Sequence, residues 1–368
     1  MRKILSFAIL LGSLFLSANA QDSTKSEPLL ISGSVDTYYK YDFAKQANIG
    51  TSFATDQNSV SLGMIDIALK KTTGKASFVG EISFGPRGQS QSIPDNAYSP
   101  TEFDQNGNIT DFALSSFHIQ NLHATYAFSD KFSMTAGYMG TFVGYEVISP
   151  VGNYNYSTSY LFTNGPFQNA GIKGTYSFSP KVSLMVGLFN DWNQYQDFNG
   201  VSHIGAQLFL SPVEGWTAYL NVLSGQSAGG SNIYGSGTIL DLTTAYQITD
   251  KFKLGLNVAD YSIGDDAFGG FTGVALYPQV AITKGFGLGL RGEYFKSKKG
   301  AFGYTFTGGV APGESVVALT VSGNLKAGGL TFIPEIRFDN GSVNQFFKEN
   351  GDGTKSAAQF SLAAVYAF

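Results

Sequence analysis

The sequence predicts an all-β fold: a transmembrane antiparallel up-and-down β-barrel of about 16 strands. Three observations carry that reading. Apolar and polar residues alternate with period two along many segments. Short polar turns alternate strictly with long connections. The chain also ends on Phe360-Ser361-Leu362-Ala363-Ala364-Val365-Tyr366-Ala367-Phe368, a strand pattern with an oily face and an aromatic last residue.

The amino-terminus comes first. Arg2 and Lys3 precede an apolar run, Ile4 to Leu16, and then the small-x-small site Ala18-Asn19-Ala20. These are the three parts of a cleaved secretory signal, expected over residues 1–20. A short polar lead, 21–28, would follow it, and a single barrel would occupy 29–368. No later run approaches the ~20 apolar residues of a membrane-spanning helix.

Several segments show the alternation plainly. Val182, Leu184, Val186 and Leu188 oppose Ser183, Met185 and Gly187. Phe252, Leu254, Leu256 and Val258 oppose Lys253, Gly255 and Asn257. Leu330, Phe332, Ile336 and Phe338 oppose Thr331, Glu335, Arg337 and Asp339. Pro334 interrupts the last of these and removes a ladder donor, so a bulge is expected there.

Seven short turns punctuate the strands, at 71–74, 129–131, 179–181, 211–215, 249–251, 283–285 and 326–329. Between them lie eight longer connections, about 42–57, 87–115, 140–167, 193–200, 225–236, 262–268, 297–313 and 340–356. In bacterial outer-membrane barrels the short turns are periplasmic and the long loops extracellular. An even strand number puts both termini on the periplasmic side. Phe360, Leu362, Tyr366 and Phe368 resemble the terminal signal by which such barrels are handed to the assembly machinery. Aromatic residues near strand ends (Tyr38, Tyr39, Tyr41, Tyr126, Phe128, Tyr176, Phe178, Tyr246, Tyr294 and Phe295) are candidates for interfacial girdles.

Composition agrees. Charged residues are 14% and aromatic residues 14%, against about 25% charged in soluble domains. Mean hydropathy is near zero because half of each strand faces lipid and half faces water. The absence of Cys excludes a lipid anchor, disulfides and thiolate metal sites. Removing Arg2 and Lys3 from the 23 basic residues leaves 21 against 27 acidic, a net charge of −6. That balance gives no support to nucleic-acid binding and points toward cation preference in a pore.

The stretch Gly137-Tyr138-Met139-Gly140-Thr141, followed by Val143-Gly144-Tyr145-Glu146, Asn153-Tyr154-Asn155-Tyr156-Ser157 and Pro166-Phe167, is the most distinctive in the chain. It resembles the OmpL-like β-barrel porin family. Phe189-Asn190-Asp191-Trp192 is similar to a later family element, with Asp191 in place of Gly. Ser83 to Arg87 and Pro334 to Asp339 also resemble family segments. In the family a basic residue follows N-Y-S; Thr158 stands there in this chain. The resemblance implies an outer-membrane channel without naming a solute.

By phase, the charges expected on the inner wall are Asp36, Lys40, Asp66, Glu81, Arg87, Lys173, Asp191, Arg291, Glu293, Glu335, Arg337 and Asp339. Opposed signs would set a transverse field across a pore; otherwise these residues solvate and staple the wall. The loop 140–167 is expected to fold inward, by analogy with the third loop of wide porins, and to bring Glu146 to the constriction. The alternative is a cap outside the barrel. Asp104 to Asp111 spaces oxygen ligands as calcium loops do, but Ile109 replaces the sixth-position Gly and Ser115 the final Glu, so a surface loop is expected. The histidines His118, His123 and His203 suggest no enzyme. Ser202 and His203 are adjacent, which in a strand would point them to opposite faces.

The expected function is passive diffusion of small hydrophilic solutes or ions across the outer membrane of a Gram-negative cell. No cofactor and no metal are implied. Expected partners are outer-membrane lipid, the barrel-assembly machinery, the solutes themselves and other copies in a homo-oligomer. The alternatives are a structural or adhesive barrel with a closed lumen and a secreted soluble β-protein.

Overall fold

Period-two alternation leaves a strand with one face for lipid and one for water, and only a closed sheet leaves no backbone group unpaired in hydrocarbon. The computed structural model, which describes residues 27–85, 87, 102–103, 109–111, 117–195, 200–226, 236–264, 269–300 and 309–368, has that arrangement. Its strands are β1 (Leu30–Asp42), β2 (Ser59–Thr73), β3 (Ala76–Phe84), β4 (Phe117–Ala127), β5 (Phe132–Gly140), β6 (Gln168–Ser179), β7 (Val182–Phe189) and β8 (His203–Leu210). They continue with β9 (Trp216–Gln226), β10 (Ser236–Gln247), β11 (Phe252–Ile263), β12 (Gly270–Ala281), β13 (Phe286–Ser297), β14 (Ser315–Ala327), β15 (Leu330–Gly341) and β16 (Ser356–Ala367). Each pairs antiparallel with the next, and β16 returns to β1 to close the barrel. The signal segment and residues 104–108 of the calcium-like stretch Asp104 to Asp111 lie outside the described residues; its last three residues, Ile109–Asp111, pair as a short strand with Glu102–Phe103.

Closure is set at the chain ends. β1 and β16 pair from Ser34↔Ala367 to Asp42↔Gln359. Beyond the ladder, Gly33 and Phe368 exchange two backbone hydrogen bonds of 3.1 Å each. The terminal aromatic residue therefore completes the seam.

The outward phase is apolar: Val60 is 80% exposed and Leu62 69%, and Leu122, Leu188, Leu240, Val317 and Leu362 share that face. Near the short turns it carries aromatic pairs, Tyr126–Phe128 at 4.9 Å and Tyr176–Phe178 at 5.0 Å, both edge-on. Such amphipathic rings suit the membrane–water boundary. Tyr38 and Phe295, grouped with the girdle by sequence position, instead point inward and are buried.

No bulge forms at Pro334, contrary to expectation. Register is continuous on both sides, from Ser322↔Glu335 to Leu325↔Phe332 and through Pro334↔Leu362. The ring lies in the outward phase of β15, between inward Ile333 and Glu335. Bulges lie elsewhere in the barrel, at Val35/Thr37, at Glu81/Ile82 and at Ser177/Ser179. The first puts the extra residue on β2, so that Gly63 and Met64 both lie opposite the inward-facing Asp36, whose carboxylate accepts from Met64 N–H at 2.8 Å. Gly63 makes that approach feasible, because a Cβ at 63 would lie 1.9 Å from Asp36 Oδ2.

Above Leu122↔Tyr138 the β4–β5 ladder stops. Side chains take over: Gln168 Nε2 donates to the Gln120 carbonyl, and Ile119 N–H donates to Tyr195 Oη at 3.2 Å. The wall stays satisfied where the backbone pairing ends.

Candidate functional site

The connection from β5 to β6 does not stay outside the wall. Starting at Thr141, it runs across inward-facing side chains, first of the neighbouring strands β7 and β8 and then of β10 to β15. Phe142 stacks on Phe189 of β7 at 5.4 Å, and Gln207 Nε2 of β8 donates to the Phe142 carbonyl at 3.2 Å. Gly144 N–H donates to Asp241 of β10 at 3.0 Å, and Asn221 and Asn257 hold the same carboxylate. Tyr145 stacks on Tyr277 of β12 at 4.4 Å.

The wall charges then fix the loop's second half. Arg291 Nη1 reaches Glu146 Oε1 at 2.8 Å and the Ser157 carbonyl at 2.5 Å. Glu146 Oε2 accepts from both N–H and Oγ of Ser159, each at 2.7 Å. Glu335 accepts from the N–H groups of Tyr156 (2.8 Å) and Ser157 (3.1 Å) and from Ser322 Oγ (2.7 Å). Ser159 caps a short helix, α1 (Tyr160–Asn164), accepting from Phe162 N–H at 2.9 Å. The first two helical N–H groups, of Tyr160 and Leu161, go to Glu293 at 3.0 and 2.8 Å. Those donors have no intrahelical partner, so the wall carboxylate completes the helix.

Arg337 forms a fork to Asp339, 2.8 Å from Nε and 2.9 Å from Nη2, and its Nη1 donates to the Thr158 carbonyl at 2.8 Å. Its guanidinium also lies 5.1 Å from the Tyr160 ring centre, while Tyr160 Oη donates to Asp339 at 2.7 Å. Tyr156 Oη donates to Asp36 at 2.6 Å, and Arg87 stacks on Tyr156 and on Phe53 of the first loop. Burial pushes the Tyr156 and Tyr160 hydroxyls well above the ordinary phenol value, so both remain donors.

Most of the charges expected on the inner wall are thus found inside, but not free. Asp36, Arg87, Arg291, Glu293, Glu335, Arg337 and Asp339 are each 2% exposed or less. Lys40 is buried too, donating to the Thr55 carbonyl of the first loop at 3.2 Å. Asp66 accepts from Ser34 N–H. Glu81 and Lys173 are only half-buried; Glu81 accepts from Asn121 Nδ2 at 2.6 Å and borders a cavity beside the docked segment. Positive and negative groups alternate along β13 and β15, two strands of one wall, and there they staple the loop.

One expectation fails at Ser202. It precedes β8, so strand alternation does not apply, and its Oγ lies 2.9 Å from His203 Nδ1 and 2.8 Å from Asp191 Oδ1. Asp191 also approaches the same imidazole nitrogen, at 3.6 Å. A nucleophile needs its carboxylate on the far side of the ring, so this cluster is not arranged for catalysis.

Wall glycines are the residues sequence reasoning missed. A Cβ at Gly255 would meet Tyr145 at 2.3 Å; at Gly287 or Gly289 it would meet Tyr154 at 2.1 Å; at Gly205, Phe142 at 2.6 Å; and at Gly273, Leu161 at 2.8 Å. All five occupy inward positions where a side chain would exclude the loop. Gly255 already stood out in the alternation, but only a known docking partner gives it meaning. Space remains on both sides of the segment 141–146. One cavity of about 270 Å³ is lined by Glu81, Asn121, Gly140, Val143 and Phe167, and one of about 280 Å³ by Phe142, Tyr145, Gln207, Tyr219 and Thr243.

A polar, loop-filled lumen inside a closed sheet of this size is the plan of a porin, and the family comparison agrees. Residues 28–368 match the family described as "Putative beta-barrel porin-2, OmpL-like". The chain belongs to this family. Among solved structures, this chain is similar to an anion-selective porin from Comamonas acidovorans, with a TM-score of 0.60 and 12% identity over 94% of this chain and 100% of that one. It is also similar to OmpF of Salmonella typhi in complex with daunomycin (TM-score 0.60, 12% identity, 92% and 97% covered). A third is OmpT of Vibrio cholerae in a trimeric form (TM-score 0.55, 11% identity, 93% and 99% covered). At such identities the likeness is one of fold. No curated protein matches the sequence.

Proposed function

We propose that this OmpL-like porin passes small hydrophilic solutes or ions passively across the outer membrane, through the part of the lumen that the loop 141–167 leaves open. The observation that carries this reading is the stapled loop itself. A barrel of 16 strands is wide enough for an aqueous channel, and a segment held across it by buried charge-assisted bonds narrows the passage to a fixed gauge. Solute size is then set by the loop, and no cofactor or energy source enters.

The alternative, a structural or adhesive barrel closed by its own loop, draws on the same packing. Single-channel recording of the refolded mature protein in a planar bilayer separates the two. Discrete conductance steps that scale with salt concentration are expected. A folded, heat-modifiable barrel that gives no steps would overturn the channel reading and favour the closed one.

A further inference from the structure

The fixed charge of the lumen is divided along the barrel axis. The carboxylates Asp36, Asp241, Glu293, Glu335 and Asp339 are buried, and each is engaged by wall or loop donors. The free charge lies on the turn side of them. Lys70 continues the inward phase of Asp66 and Ala68 on β2; Lys173 pairs with inward Thr135; Lys253 continues Asn257 and Gly255; Lys326 continues Ser322 and Asn324. Lys70 and Lys326 are exposed, and Lys173 and Lys253 half-buried. His123 sits in the same cross-strand row as Lys70, with Val79 between them, and lies within electrostatic reach of both Lys70 and Lys173.

No carboxylate occupies the inward phase on the turn side of Asp66, Glu81, Asp241 and Glu335 among the described strands. At the mouth the signs are nearly balanced: the turn residues Lys71, Lys75, Lys131, Lys181, Lys251 and Lys284 share that end of the barrel with Glu27, Asp130, Glu214, Asp250 and the terminal carboxylate of Phe368, so the positive excess rests on the wall lysines. The chain is acidic as a whole, but apart from Glu81, which is held by Asn121 and lies within electrostatic reach of Lys70, its inward acid is engaged by wall and loop donors or lies toward the long connections. A solute in the vestibule meets ammonium groups on several sides. Low-dielectric walls focus such a field, and a lysine is a flexible, strongly hydrated point charge suited to carboxylate and phosphate oxygens.

We propose that the turn-side vestibule is an anion-binding chamber, and that the channel prefers small anions, multivalent oxyanions most of all. This inference rests on the channel reading above. It locates selectivity in Lys70, Lys173, Lys253 and Lys326, not in the loop that sets the gauge.

The test uses the refolded full mature chain and the variant Lys70→Gln/Lys173→Gln/Lys253→Gln/Lys326→Gln, with heat-modifiable gel migration confirming that both fold. In a KCl gradient at low ionic strength, the parent's reversal potential should have the sign of chloride preference, and the variant's should move toward potassium. Citrate should block the parent from one face of the bilayer only, and the variant should need on the order of tenfold more. At about 1 M salt, where the screening length falls to about 3 Å, the preference should fade. A conducting parent that prefers potassium, an unchanged variant, or equal citrate block from both faces overturns this inference and leaves the channel standing. A folded parent with no conductance removes both.

Discussion

Glu335 serves three donors at once, two from the loop backbone and one from Ser322. A hydrogen bond to a charged group contributes about 1.5–3 kcal/mol, so Glu335→Gln should weaken docking by roughly that much while leaving the wall intact. The expected readout is a higher, noisier single-channel conductance with unchanged gel migration. A trace identical to the parent's would mean the loop does not depend on this anchor. Arg291→Gln should act more strongly, because it strands Glu146 in a buried site, where losing one partner of an ion pair costs about 3–5 kcal/mol. The tyrosines add a pH dependence. Their hydroxyls titrate higher when docked than free, so docking is fully supported below the ordinary phenol value of 10.0 and weakens above it. Conductance should hold steady at neutral pH and rise only in strong alkali. Tyr156→Phe/Tyr160→Phe should lose that alkaline rise.

Between residues and barrel stands the loop, and here the glycine positions decide. Gly289→Leu would put a branched side chain where the Tyr154 ring lies, with the Cβ alone 2.1 Å from it. The wall can keep its register, so the loop must give way. Increased conductance in a normally migrating barrel is expected, and deletion of most of 145–160 should produce a larger increase. Unaltered conductance in the deletion would place the constriction elsewhere. The contrast with Pro334 is instructive. Sequence rules assigned that proline a bulge because it lacks a donor, yet the strand keeps its register on both sides with the ring in the outward phase. Strand periodicity and turn chemistry are local, and they located all seven turns and the inward phase of Glu293, Glu335 and Arg337. What those charges hold is not local. Arg291 meets Glu146 across 145 residues of chain, and no spacing rule connects them. The same limit applies to Ser202, whose contact with His203 depends on where β8 begins.

At the scale of the molecule, alternation and connector rhythm were enough to give strand number, closure and the side on which the termini lie. The open part of the lumen was not legible, since net acidity points to cations while the docked loop occupies the acid. Whole-barrel stability should depend little on loop variants, because the strand ladder carries the backbone pairing. Boiled and unboiled samples of every variant above should therefore differ in gel migration as the parent's do. Deleting Phe368 removes two backbone bonds at the seam and the last aromatic of the assembly signal. The expected result is slower insertion into bilayers at similar final fold, measured as the rate at which the heat-modifiable form appears.

The seam between β1 and β16 is bonded like every other pair of neighbours, and Gly33 and Phe368 meet at its short-turn end. Geometrically, then, the chain has no first strand. A few flexible residues joining the two ends would make a continuous ring of hairpins, and fresh termini could be opened at another short turn, such as Asp250-Lys251, without disturbing any ladder. Such a circular permutant would keep the pore and its loop while moving the assembly signal from the tip of the chain to its interior. It would separate what the barrel needs in order to stand from what the cell needs in order to insert it.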